Sequence, residues 1–134
     1  MTPSPMVKKA RPLSPHLQIY RPQMTSGMSI FHRMTGIALA FGLPLFVVWL
    51  YAVACGPHVY FDFASLMNTL IGQIILFGLT FSFFYHFCCG IRHLLWDAGY
   101  FLTLPGVYST GRIAIAVSVL LTVGIWIKAY GMTP

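Results

Sequence analysis

Between Met34 and Val59 the chain carries no Lys, Arg, Asp or Glu. An uncharged run of that length suits lipid, because a bilayer core of about 30 Å asks for about 20 apolar residues in a helix. Two further apolar runs follow, and together they decide the class. Only 7% of the 134 residues are charged, while 57% are apolar. A soluble domain averages roughly 25% charged residues, so these few charges cannot cover a solvated surface. The sequence therefore predicts an all-α integral membrane protein of a single domain.

The uncharged runs place three transmembrane helices at about residues 30–55, 64–95 and 112–130, within a membrane domain of residues 29–134. Residues 1–28 read as an irregular, basic N-terminal arm. At a rise of 1.5 Å per residue the first span would be about 39 Å long, enough to cross. Pro44 inside it is expected to kink the helix, since proline removes a donor to the preceding turn. The stretch "GPHVYFD" reads as a loop, and Asp62 within it as a solvated loop charge. "TLPGVYSTG" reads as the next turn, with Pro105, Gly106 and Gly111 as breakers. Lys128 lies where it can snorkel from the end of the third span.

A net charge of +6 raises the question of nucleic acid, but eight basic residues scattered among apolar runs form no phosphate-tracking stripe. Their placement orients the chain instead. Lys8, Lys9, Arg11 and Arg21 lie in the arm, and Arg33 at the entrance of the first span. The first loop has no Lys or Arg, whereas Arg92 and Arg112 edge the second. The N-terminus and second loop are thus expected on the cytoplasmic side. Aromatic belts agree, with Trp49, Tyr51 and Tyr60 outside, Trp96, Tyr100 and Tyr108 inside, and Trp126 and Tyr130 outside again. The arm has no apolar core of a secretory signal, and its prolines make it a poor transit helix. Cys55, Cys88 and Cys89 form no CxxC or CxxCH pattern, which leaves a disulfide framework, a zinc site and covalent haem attachment without support. Cys88 and Cys89 read as small packing residues.

Polar side chains inside the apolar runs are the functional signal, because an intramembrane polar group is costly without a partner. "SIFHRMTG" sets His32 and Arg33 at the mouth of the first span, and "YHFCCGIRHLLWD" carries His86 into the second. His86 lies about 9 Å deeper than Arg92 on helical geometry. Ser82, His86, Gly90 and His93 fall on a single helix face. Gly90 removes a side chain beside His86 and leaves room for something flat and large. His93, about 10.5 Å further along that face, suits a porphyrin bound at His86 with propionates reaching His93 and nearby arginines. Ser29, Arg33 and Gly36 share a face of the first span, with His32 at its edge. Each has a plainer alternative. His86 would serve as a packing histidine on a neighbouring carbonyl, Arg33 as a snorkelling interfacial cation. Asp97 either orients His93, pairs with Arg92, or is a solvated end charge. Three spans bury little of one another, so the bundle is expected to be completed by another subunit.

"RPLSPHLQIY", "SIFHRMTG" and "HFCCGIRHLLWD" together resemble the cytochrome b556 subunits of succinate dehydrogenase, over about residues 11–130. The resemblance implies that His86 is an axial ligand of a haem b iron, with the other ligand from a second anchor subunit. It implies that Ser29 and Arg33 line a ubiquinone pocket beside the iron–sulfur subunit, and that His32 and His93 lie near the haem propionates. It implies further that a flavoprotein subunit oxidises succinate, and that this chain by itself catalyses nothing. Ubiquinone is then the substrate, and the setting a bacterial inner membrane rather than a mitochondrial one, since Met1 stands shortly before the matching stretch. Competing readings are the anchor of a fumarate reductase, a non-redox membrane adaptor and an ion-pathway subunit. The last would call for acidic residues in the spans, which are absent.

Overall fold

The computed structural model describes residues 21–131. Lys8, Lys9 and Arg11 of the basic arm lie outside the described residues. Four helices follow in order: α1 (Met24–Ala54), α2 (Pro57–Met67), α3 (Leu70–Asp97) and α4 (Leu104–Gly131). Among the described residues there is no strand. α1, α3 and α4 are long and apolar enough to cross a membrane. Their 31, 28 and 28 residues exceed the roughly 20 needed for the hydrocarbon core, so their ends extend past it or the helices tilt.

The helix limits differ from the sequence expectation in three places, each with a local cause. α1 begins at Met24, so Thr25 and Ser26 ride on the helix rather than on the arm. It then runs through Pro44 to Ala54 as one helix. The segment read as a loop is the separate helix α2, which also takes residues 64–67 from the expected second span. Gly56, at φ 98°, makes the turn that a side chain would strain, and Pro57 opens α2 in the first turn, where its missing donor is no loss. Asp62 therefore sits on a helix, with its Oδ2 3.3 Å from His58 Nδ1 across an exposed turn. α3 restarts at Thr69, whose hydroxyl accepts from the Gly72 N–H at 3.2 Å. α4 begins eight residues before the expected span, with Pro105, Gly106 and Gly111 inside it. Pro105 again occupies the first turn, where a helix tolerates it.

α3 ends in a Schellman turn, with Gly99 N–H donating to Trp96 O at 2.8 Å and Tyr100 N–H to Leu95 O at 2.9 Å. Gly99 supplies the required left-handed residue at φ 85°. This tight reversal lays α4 antiparallel along α3, the most extensive packing in the molecule. The α4 face against it is made of small residues, with Gly111, Ala114, Ser118 and Thr122 all buried. Ser118 and Thr122 turn their hydroxyls back onto Ala114 and Ser118 carbonyls, so the seam buries no unmet donor. A compact core forms from Met28, Tyr85, Cys89 and Ala114. Most long apolar side chains face outwards, Phe41 being 80% and Leu120 70% exposed. That is the surface of a helix set meant for lipid or further helices. The connectivity brings the start of α1, the end of α3 and the start of α4 together at one end of the bundle.

Candidate functional site

His86 projects from α3 towards α1. Its Nδ1 lies 3.1 Å from the His32 carbonyl and 3.3 Å from Thr35 Oγ1. Thr35 spends its own proton on the same carbonyl, at 2.9 Å. A carbonyl only accepts, so the contact at 3.1 Å requires the proton on His86 Nδ1. The imidazole is thereby held as the tautomer whose Nε2 lone pair is free, the form that ligates a metal. Gly36 lets the ring approach α1, since a Cβ there would stand 3.0 Å from His86 Cε1. On the α3 side, a Cβ added at Gly90 would meet nothing within 4 Å.

His32 stacks on His86, ring centroids 4.0 Å apart at 15°. His93 meets His32 edge-on at 5.0 Å, and Trp96 lies 5.2 Å from His93. Arg92 closes the series with its Cζ 3.9 Å above the Trp96 ring. It is 5% exposed, yet no carboxylate partners it among the described residues. Instead it donates from Nη2 to Val107 O at 2.8 Å and from Nε to Thr110 Oγ1 at 3.2 Å, across to α4. Gly111 keeps that approach open, since a Cβ there would fall 2.9 Å from Met28 Sδ and 3.6 Å from Arg92 Nη2. Tyr85 donates to Met28 O at 3.2 Å and ties α3 to α1 below this layer.

A cavity of about 520 Å³ opens beside these rings, walled by Ser29, His32 and Arg33 of α1 and by Arg92, His93 and Trp96 of α3. Four of the five residues singled out in the sequence thus converge on one space. His86 does not line it, and sits behind His32 with its Nε2 uncommitted among the described residues. Ser29 and Arg33 are exposed at the rim, whereas His32 turns in against α3. Two buried nitrogens, His32 Nε2 and Trp96 Nε1, find no partner among the described residues.

A family model described as "Succinate dehydrogenase/Fumarate reductase transmembrane subunit" matches residues 7–125. The chain belongs to this family. Among its relatives, the succinate dehydrogenase cytochrome b556 subunit of Rickettsia felis is 43% identical over 87% of this chain and 91% of its own length. The cytochrome b556 subunit of Paracoccus denitrificans is 40% identical over 84% of this chain and 87% of its own. The cytochrome b560 subunit of Reclinomonas americana is 40% identical over 87% and 85%.

For this member of the family the geometry also shows what sequence reasoning missed. Arg92 is more than an orienting charge or a partner for Asp97, and Trp96 more than a belt aromatic; both are walls of the cavity. Their i, i+4 spacing carried the signal, placing them on one helix face near His93. The suggested pairing of Asp97 with Arg92 is not made, because Arg92 turns to α4. Thr35 and Gly36, which hold and admit the His86 ring, offered only their place in "SIFHRMTG".

Proposed function

We propose that this chain is the membrane anchor of a succinate dehydrogenase complex, holding a haem b and forming part of a ubiquinone-reducing site. The observation that carries the reading is the pairing of His86, proton on Nδ1 and Nε2 free, with the adjoining cavity of Ser29, Arg33, His32 and His93. The residues suit a haem. His86 Nε2 would ligate the iron, and the unpartnered His32 Nε2 and His93 would meet the propionates. When bound, the haem would supply one-electron transfer. A second anchor subunit would complete the coordination of that haem, and the exposed apolar faces of α1 and α3 offer a surface against which it would pack.

Quinone reduction adds two electrons and two protons, and negative charge builds on the ring oxygens as the electrons arrive. Ser29 and Arg33 stand at the cavity rim as a hydroxyl and a guanidinium ready to donate to that charge. The histidine end faces the cytoplasm in this reading, as the arginine distribution implies, so the iron–sulfur subunit docks there and passes on electrons from the flavoprotein. The names of the relatives favour succinate oxidation over fumarate reduction as the working direction. The membrane is a bacterial inner membrane, crossed three times by residues 24–54, 70–97 and 104–131.

The test is a gentle detergent purification of the tagged chain. A reduced-minus-oxidised spectrum should show a low-spin b-type haem, with flavoprotein, iron–sulfur and second anchor chains co-purifying. A haem-free isolate with none of these partners would refute the assignment.

A further inference from the structure

One turn of α1 meets the His86 ring with two oxygens. Nδ1 lies 3.1 Å from the His32 carbonyl and 3.3 Å from Thr35 Oγ1. Thr35 is buried, and its hydroxyl donates to His32 O at 2.9 Å. A helical threonine forms that bond readily, because one χ1 well points Oγ1 at the preceding turn. With the hydroxyl proton aimed at the carbonyl, the lone pairs of Oγ1 are what His86 meets. Nδ1 carries a proton, since the carbonyl only accepts. That proton therefore lies between two acceptors, and a hydroxyl that donates onwards is the better acceptor for doing so. Gly36 has no side chain to hold the ring off, since a Cβ there would stand 3.0 Å from His86 Cε1.

We propose that Thr35 is a positioning residue for the haem: its hydroxyl shares the Nδ1 proton of His86 and so sets how strongly Nε2 gives electron density to the iron. This rests on the reading of His86 as an axial ligand. Each acceptor at Nδ1 draws the proton away from the ring and raises the basicity of the other nitrogen. A more basic imidazole favours ferric over ferrous iron, which lowers the potential at which a haem accepts an electron. The His32 carbonyl belongs to the backbone, and no substitution removes it. The hydroxyl is the half of the pair that a side chain supplies, and therefore the half that sequence tunes.

The experiment uses the intact complex in detergent. Haem b is titrated for its midpoint potential, beside the electron paramagnetic resonance of its ferric form. Thr35→Val replaces the hydroxyl by a methyl group in nearly the same shape. It should keep the haem, and a low-spin ferric signal should show that both ligands remain. The midpoint potential should rise, moving the reduction equilibrium about two- to tenfold towards the ferrous form, the range for one neutral hydrogen bond. Thr35→Ser puts a hydroxyl back and should return the potential. Thr35→Ala removes the hydroxyl by a second route and decides the matter if the valine variant does not assemble. An unmoved potential without the hydroxyl overturns the proposal. So does a downward shift, which would mean that Thr35 competes for the His32 carbonyl rather than accepts from the ring. A serine variant that keeps the raised potential overturns it too, by assigning the effect to shape. If neither hydroxyl-free variant holds haem, the hydroxyl is a folding contact and the proposal falls. His86→Ala separates the two ideas. Loss of the b-type spectrum there with no shift at Thr35 defeats only the Thr35 contact, whereas an unchanged spectrum defeats the ligand reading itself.

Discussion

At the end of the bundle where α1 and α4 start and α3 closes, helices are joined by directed polar contacts: Tyr85 to Met28 O, His86 to His32 O, and Arg92 to Val107 O and Thr110. At the opposite end a larger cavity, about 860 Å³, lies between α1, α2 and α3 with almost wholly apolar walls, among them Phe46, Trp49, Phe63 and Leu79. The helices there touch closely at Gly42, whose added Cβ would stand 2.7 Å from Leu79 Cδ2. Apolar contact is non-directional, so it sets how near two helices lie but not the orientation of any one group. Hydrogen bonds do set orientation, and in low dielectric they are costly to leave unmade. The histidine end is built to hold particular atoms in place; between α1, α2 and α3 at the far end, undirected apolar contact does most of the holding.

The sharpest way to break this contrast is His86→Ala. The expected outcome is loss of the low-spin b-type signal from the assembled complex, read in a reduced-minus-oxidised spectrum. An unchanged spectrum would show that the tautomer held at His86 serves packing alone.

Arg33→Ala comes next. Losing a charged donor costs about 1.5–3 kcal/mol, or about 10- to 150-fold in rate if the bond acts in the transition state. Succinate–ubiquinone activity should fall by that factor, while succinate oxidation with a dye that takes electrons upstream persists. A parallel fall in both would make Arg33 an assembly residue, and no fall in either a head-group anchor.

Arg92→Lys tests the directed bonds between helices. An ammonium cannot reproduce the guanidinium's two bonds and its stacking on Trp96 together, so the complex should lose about 1.5–3 kcal/mol of stability. The midpoint of thermal unfolding in detergent would drop, while dye-linked succinate oxidation at low temperature stays intact.

The smallest and most direct comparison pairs two glycines. Gly36→Ala puts a methyl group 3.0 Å from His86 Cε1, and Gly42→Ala puts one 2.7 Å from the flexible tip of Leu79. Overpacking costs about 1–3 kcal/mol at a site that cannot yield. The first substitution should shift the haem b absorption or potential, because the ring must move; the second should leave both unchanged. Equal spectral effects would erase the distinction between the two ends.

Much of this was open to inspection in the chain before it was folded. The uncharged runs and scarcity of charge dictate an all-helical membrane protein, since helices satisfy their own backbone in lipid. The helical period puts His86, Gly90 and His93 on one face, and the alternation of crossings brings that face to the same end as Ser29, His32 and Arg33. These conclusions follow from one helix at a time. Which groups meet across helices does not follow, because periodicity names a face and leaves its neighbour unspecified. Thus it took the tertiary structure to turn Arg92 from the neighbouring Asp97 to the carbonyl of Val107, fifteen residues along the chain on α4. The packing of α1 on α3 set His32, rather than Arg33, against His86. It also fixed the proton of His86 by offering a carbonyl at 3.1 Å, since a tautomer depends on an acceptor that another helix supplies.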